Sequence, residues 1–409
     1  MNAYKLLLLS CVALCVFSCQ DMYEVHEEFV DGKEIVYAPK VDSVLVRPGN
    51  GRMELGMMTI NSKNVTKMRV TWDNGKKSFE QAVEITDEEQ TVSVLLEEME
   101  EKAYNFRVYA IDKEGNVSIE TRAFGLVYGE IYRKNITNRS LLEKKFDKDR
   151  KMLYLNWFDA PKNSYGVELK YTDATGTQKE ISFENDISMS DLPGAVPGSK
   201  ISYRTKYKPE ENAIDFFYTD WKEATLPETY LEEMDKSKFA VHALPTDIAG
   251  DAWGGHISKL WNGTVSGGDF YHSSNDEPLP HHFTFDMGAL GKLVSCWVDP
   301  RKNNNSSNVK VVQFWGIDDI TDAATALPSA DEGWEAESKA KGWTLLGSAT
   351  RDSGRNDASF KVNFDPEASR VRYIRVRILE NRAGADKYSF MSELTFTAEH
   401  PIVMDSPEE

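Results

Sequence analysis

The sequence predicts an all-β protein built of consecutive sandwiches, and three observations predict it. From Val36 onward, short runs alternate apolar and polar residues, the period of a half-buried strand. Turn signals such as Asp73-Asn-Gly75 and Glu114-Gly-Asn116 separate these runs at the spacing of a sandwich. The pattern recurs at an offset of roughly 100 residues, and a third block with its own alternating strands follows. A chain of 409 residues, 41% of them hydrophobic, exceeds what one core usually organises, so two to four domains of about 100 to 150 residues are expected.

The N-terminus comes first. Lys5 precedes an apolar run from Leu6 to Phe17 that ends in Val16-Phe17-Ser18-Cys19. A positive start, an apolar stretch well short of the roughly 20 residues a bilayer requires, and small residues before a cysteine read as an export signal. Cleavage is expected just before Cys19, so the segment resembles the lipobox of bacterial lipoproteins. The resemblance implies a signal peptide over 1–18, lipidation of Cys19, a tether over 19–35 and an outer-membrane lipoprotein. The alternatives are a non-lipidated secretory peptide and an uncleaved anchor helix, the latter disfavoured by the shortness of the apolar run. Asp21 and Glu24, close to the anchor, partly resemble the signal that carries Bacteroidetes lipoproteins to the cell surface, which implies exposure there.

Cysteine and charge narrow the function classes. Cys11 and Cys15 fall in the expected signal peptide and Cys19 would be acylated, leaving Cys296 alone, with no intramolecular disulfide and no multi-cysteine metal cluster. Cys296 lies in the alternating run Leu293-Val-Ser-Cys-Trp-Val298 and reads as a buried, inert thiol. The formal charge is −18, and −19 once residues 1–18, whose only charged side chain is Lys5, are removed. Such a surface repels phosphate backbones and anionic headgroups, so nucleic acid is excluded as a partner, membrane attachment rests on the lipid, and neutral polymers remain compatible.

The first sandwich is expected over 36–124, from Arg52-Met-Glu-Leu55, Lys67-Met-Arg-Val-Thr-Trp72, Gln90-Thr-Val-Ser-Val-Leu95 and Tyr104-Asn-Phe-Arg-Val-Tyr-Ala110. Over 125–227, Lys151-Met-Leu-Tyr-Leu-Asn-Trp157, Gly166-Val-Glu-Leu-Lys-Tyr171 and Lys200-Ile-Ser-Tyr-Arg-Thr-Lys-Tyr207 answer the first set in order. Each copy resembles a fibronectin type III or immunoglobulin-like domain, and the pair resembles a module of Bacteroidetes surface lipoproteins. Trp72, Trp157 and the tyrosines are expected in the core or at corners. Residues 228–236, Glu-Thr-Tyr-Leu-Glu-Glu-Met-Asp-Lys, read as a charged linker of one or two helical turns.

The third block, 237–400, is followed by an acidic tail, 401–409. Within it Leu260-Trp-Asn-Gly263 with Asp269-Phe-Tyr-His-Ser273, His282-Phe-Thr-Phe-Asp-Met-Gly288, Cys296-Trp-Val-Asp-Pro-Arg301, Val371-Arg-Tyr-Ile-Arg-Val376 and Met391-Ser-Glu-Leu-Thr-Phe396 occur in order. These motifs resemble the coagulation factor 5/8 type C, or discoidin, domain, a jelly-roll sandwich that includes carbohydrate-binding modules of family 32. Phe283, Phe285 and Met287 are expected to alternate inward, as is Tyr373 or Ile374.

In that family ligands dock on loops at one end of the sandwich, so the resemblance implies a glycan site on this block. The candidates are Asp251, Trp253, His256, Arg301, Asn303, Asn304, Arg355, Arg382 and Tyr388. Amides and guanidinium groups exchange hydrogen bonds with sugar hydroxyls, and an exposed aromatic ring stacks on the apolar face of a pyranose. Any one of them could equally be a solvated loop residue. Trp253 is the sharpest, because Gly250-Asp-Ala-Trp-Gly-Gly255 makes an irregular loop in which an indole is hard to bury. The resemblance also implies a structural calcium ion on Asn262, Asp269 and Glu393, with Asn262 standing where an aspartate is usual.

No catalytic pattern appears. His281 and His282 are neighbours on a strand and point to opposite faces, so they do not clamp one metal, and no His-Glu-x-x-His, Gly-x-Ser-x-Gly or phosphate-loop motif is present. The expectation is a non-enzymatic, lipid-anchored glycan-binding protein with the tandem sandwiches as spacer. By resemblance to lipoproteins encoded with polysaccharide-uptake systems, a TonB-dependent transporter and a SusD-like protein are its implied partners. The alternative is an adhesive or structural protein whose discoidin-like domain binds a protein.

Overall fold

The computed structural model describes residues 36–303 and 306–404, and the chain forms three β-sandwiches. Residues 1–35, with the expected signal peptide and Cys19, residues 304–305, with Asn304, and residues 405–409 lie outside the described residues.

The first sandwich contains β1 (Ser43–Pro48), β2 (Met53–Ile60), β3 (Val65–Trp72), β4 (Lys77–Ala82), β5 (Glu89–Leu96), β6 (Ala103–Asp112) and β7 (Thr121–Leu126). Sheet β1-β2-β5 faces sheet β4-β3-β6-β7. Alternation sends Met53, Leu55, Met57, Val70, Val94, Phe106 and Val108 into one core.

A short helix, α1 (Glu130–Asn135), leads to the second copy: β8 (Leu141–Asp147), β9 (Met152–Trp157), β10 (Ser164–Thr172), β11 (Gln178–Phe183), β12 (Met189–Leu192), β13 (Lys200–Tyr207), β14 (Phe217–Tyr218) and β15 (Lys222–Thr225). Its sheets are β12-β9-β8 and β11-β10-β13-β14, with β15 also on β13. In both copies the first, second and fifth strands make one sheet and the rest the other, so the duplication extends to connectivity. Trp157 is buried and its indole N–H donates to Ser190 Oγ at 2.9 Å, whereas Trp72 is half-buried at the rim of its core, 6.5 Å from Phe106.

The third sandwich contains β16 (Thr229–Glu233), β17 (Ala240–Val241), β18 (Tyr271–His272), β19 (His281–Asp299), β20 (Val309–Ile317), α2 (Trp334–Ala340), β21 (Thr344–Thr350), β22 (Phe360–Asn363), β23 (Val371–Asn381), β24 (Phe390–Met391) and β25 (Glu393–Pro401). The long β19 joins two layers: residues 281–286 pair with β23 and residues 292–299 with β25. The bend falls at Gly288, at φ +69°, where a Cβ would lie 2.6 Å from the Lys238 carbonyl oxygen. Phe283, Phe285, Met287 and Ile374 are buried as the alternation predicts. A second cluster of Trp315, Trp334 and Trp343 covers the other face of this sheet, which is why His282, Thr284 and Arg375 are buried too.

Two sequence readings give way here. Residues 229–233, read as a helical linker, form β16, an edge strand paired in register with β25 from Thr229 opposite Pro401 to Glu233 opposite Thr397. Residues 401–404, read as part of a tail, dock on the second sandwich: Ile402 donates its N–H to the Glu228 carbonyl at 2.9 Å, and Ile402 and Met404 join the core of Leu153, Trp157 and Leu226. The partners of these segments lie some 170 residues or more away in sequence, beyond the reach of local periodicity.

Candidate functional site

Five loops of the third sandwich converge at one end, and buried polar struts hold them. The Asn308 side chain is central. Its Oδ1 accepts the Arg301 N–H at 2.9 Å, while its Nδ2 donates to the Arg301 and Asn356 carbonyls at 2.8 and 3.0 Å. The Asn308 carbonyl accepts the Arg382 N–H at 2.8 Å. Arg382 then donates to Asn356 Oδ1 at 2.9 Å, to the Gly354 carbonyl at 3.0 Å and to the Arg351 carbonyl. Apart from the side-chain bond to Asn356 Oδ1, each satisfies a backbone group that a loop would otherwise leave unpaired.

On this frame sits a row of rings. Trp253 is 79% exposed, within a turn that begins at the partly wound residues 252–254. Its φ is +54°, a left-handed conformation that is costly for a residue with a Cβ and that turns the indole outward. Behind it, 6.5 Å away, lies the buried His272, which packs at 4.2 Å on Phe390 and at 5.8 Å edge-on to Tyr388. Tyr388 is also left-handed, at φ +65°, and its hydroxyl donates to Asn275 Oδ1 at 3.2 Å. The Arg301 guanidinium stacks 3.7 Å above Phe270 and donates to the Gly267 carbonyl at 2.8 Å.

His272 is held neutral by burial, which pushes its pKa down. Its Nδ1 lies 2.6 Å from the Ser273 carbonyl and therefore carries the proton, so Nε2 is the bare nitrogen.

The sequence candidates thus separate by role. Trp253 and Asp251 lie on the exposed turn, and Asp251 bridges by backbone to His272. Tyr388 stands on the other side of His272. Arg301 and Arg382 spend donors on holding loops, and Arg355 forms a two-bond pair with Asp357 at 3.0 Å in each bond. His256 is exposed and its Nδ1 accepts the Ser258 N–H at 3.1 Å, capping the short turn 257–261. Asn303 is exposed at φ +76° beside Gly267. Sequence reasoning missed His272, Phe270, Phe390 and Asn308. Of these, Phe270 and His272 lie in the motif Asp269-Phe-Tyr-His-Ser273, which was the available signal.

The three implied calcium ligands occupy one neighbourhood but do not fit the ion. The Asn262 Nδ2 donates to Asp269 Oδ2 at 2.6 Å, so that amide turns a donor, not its carbonyl oxygen, toward the carboxylate. Lys259 Nζ lies 2.9 Å from Asp269, whose carboxyl it holds below its ordinary range. Lys236 Nζ lies 2.5 Å from Glu393, a carboxyl that burial nevertheless pushes up. Calcium requires several free oxygen ligands. Among the described residues no group of three His, Cys, Asp or Glu is placed to hold a metal.

Two residue types with catalytic potential are occupied otherwise. Cys296 is buried and its thiol is pushed well up by desolvation. His281 Nε2 lies 2.8 Å from Ser389 Oγ and 3.1 Å from the Tyr271 hydroxyl, all of it buried, while His282 faces Asp247 at 3.2 Å.

Residues 19–217 match DUF4998 and residues 261–397 match DUF5000, each described as a domain of unknown function. No curated protein matches the chain. Among solved structures, the chain is similar to a SusE-like protein, at 17% identity over 88% of this chain and 98% of that one, with a TM-score of 0.34. It is similar to a family 32 carbohydrate-binding module of C. perfringens NanJ in complex with galactose, at 16% identity over 41% and 99%, TM-score 0.29. A further family 32 module from Clostridium perfringens, in complex with GalNAc-β-1,3-galactose, shares 13% identity over 40% and 99%, TM-score 0.30.

Proposed function

We propose that this chain is a non-catalytic, lipid-anchored glycan-binding protein of the outer membrane, exposed at the cell surface, whose third sandwich captures the glycan on the Trp253 face. The observation that carries the reading is the exposed indole held in a left-handed turn. A backbone conformation disfavoured for a bulky residue persists where surrounding structure over-determines it, and such strain collects at ligand-contacting positions. The indole supplies the apolar platform, and Asp251, Tyr388 and the bare nitrogen of His272 supply polar contacts around it.

The anchor rests on the motif at Cys19, and the strongly acidic surface favours a neutral polymer over an anionic one. Partnership with a TonB-dependent transporter and a SusD-like protein belongs to the same reading. The test is affinity electrophoresis of the mature chain through gels containing neutral polysaccharides. Retardation by at least one polymer, lost in Trp253→Ala, is expected. No retardation by any of them, with retention on a protein ligand instead, overturns the reading in favour of an adhesive protein.

A further inference from the structure

We propose that the Lys236 ammonium is a resident cation that does the work of a structural metal ion, bracing the binding loops of the third sandwich without calcium. This concerns how the loops are held and stands whether or not Trp253 binds a glycan.

Glu393 is almost wholly buried on β25, with its side chain 3% exposed, and its strand partner in register is Asp299, a second acid. A carboxylate in that position requires a positive partner and hydrogen bonds to its remaining lone pairs. Lys236 supplies the charge at 2.5 Å and also donates to Thr395 Oγ1 at 2.6 Å. On its other side, Glu393 accepts the Gly263 N–H at 3.2 and 3.3 Å. One carboxylate therefore ties three segments together: the stretch after β16, the loop that follows the turn 257–261, and the closing strand. A multidentate cation would link the same segments through their oxygens. Here an ammonium on a covalent stem makes the link, and Lys259 repeats the arrangement at Asp269, 2.9 Å away.

The position of Lys236 adds a consequence. It follows β16 by three residues, β16 pairs with β25, and the residues after β25 dock on the second sandwich. The brace thereby joins the binding loops to the junction between domains.

The test is thermal unfolding and calorimetry of the mature chain in EDTA and in millimolar CaCl2. The wild type is expected to unfold at one temperature in both and to give no binding heat. Lys236→Ala is expected to unfold several degrees lower in EDTA and to recover in CaCl2, with calcium now binding measurably. The double variant Lys236→Ala/Glu393→Gln, which removes both charges, is expected to be insensitive to both additions. Calcium-dependent stabilisation of the wild type that Glu393→Gln abolishes would overturn the proposal. So would a Lys236→Ala variant as stable as wild type in EDTA, or one whose loss calcium does not restore, which would make the contact an ordinary ion pair. If Lys236→Ala does not fold, the wild-type titration and the double variant still decide.

Discussion

The Arg52 guanidinium of the first sandwich donates two bonds, 2.9 and 2.6 Å long, to the Asp215 carboxylate of the second. The fork geometry fixes direction as well as distance. Around it the Ile214 N–H donates to the Pro48 carbonyl at 2.8 Å, the Asn212 amide to the Val46 carbonyl at 2.8 Å, and the Tyr128 hydroxyl to Glu210 at 2.8 Å. The rings of Tyr128, Tyr132 and Phe217 pack edge to face beside this clasp. A junction held by directional bonds gives the two copies a defined mutual geometry instead of a loose pairing.

Replacing Asp215 with Ala removes the fork and leaves Arg52 without its partner. Because the pair is partly exposed, the cost is about 1 kcal/mol. Hydrogen exchange at Ile214 and proteolysis within 208–216 should both rise, while the cores of the two sandwiches stay protected. Unchanged exchange at Ile214 would show that the clasp does not depend on the ion pair.

Trp253→Gly separates strain from function at one position. Glycine adopts φ +54° without steric cost, so the variant should unfold at or above the wild-type temperature. Loss of the platform should weaken glycan binding about tenfold or more, the size of an interface anchor. A variant that loses stability and keeps its affinity would contradict both halves.

His281 sets an acid limit. Burial lowers its folded pKa to about 4 from an ordinary 6.5, so on acidification the unfolded chain takes up the proton first. The associated stability is fully present above pH 6.5 and is lost as the pH falls toward 4, by about 3 kcal/mol. His272 and His282 are shifted in the same direction by burial and add to the slope. Denaturant midpoints measured across that window should fall for the wild type and fall less for His281→Gln. An identical slope in the variant would locate the effect elsewhere.

Ile402 carries the docking of the chain end onto the second sandwich, where it is 8% exposed. Ile402→Ala should cost about 2 kcal/mol, the low end for a buried aliphatic truncation. The loss should appear as faster exchange in β16 and in residues 401–404, with the centre of the third core unaffected. Uniform destabilisation of the third core would show that the contact is not confined to the junction.

The strands were legible because alternation is local. Met53, Leu55 and Met57, or Phe283, Phe285 and Met287, announce a buried face from within a few residues of one another, and the two copies announce their shared connectivity by repeating that rhythm. Trp253 was legible for a related reason, since flanking glycines mark an irregular turn. β16 was not: Thr-Tyr-Leu-Glu-Glu has a mixed pattern, and it is a strand only because β25 offers it an open edge. Asn308 was hidden for the opposite reason, being a polar residue whose importance comes from what it bonds across the loops.

By itself the sequence determined the all-β class, the repeated sandwich pattern, the inward faces of the main strands and the turn that exposes Trp253, since all of these follow from periodicities and turn chemistry acting over a few residues. The tertiary structure alone decided that Arg301 and Arg382 act as struts, that Lys236 reaches Glu393, and that the chain end closes onto the second sandwich. Those outcomes depend on which groups meet from separate parts of the chain, 34 residues apart for Arg301 and Gly267 and 157 for Lys236 and Glu393, and on the need of each buried charge and backbone group for a partner, which no local pattern records.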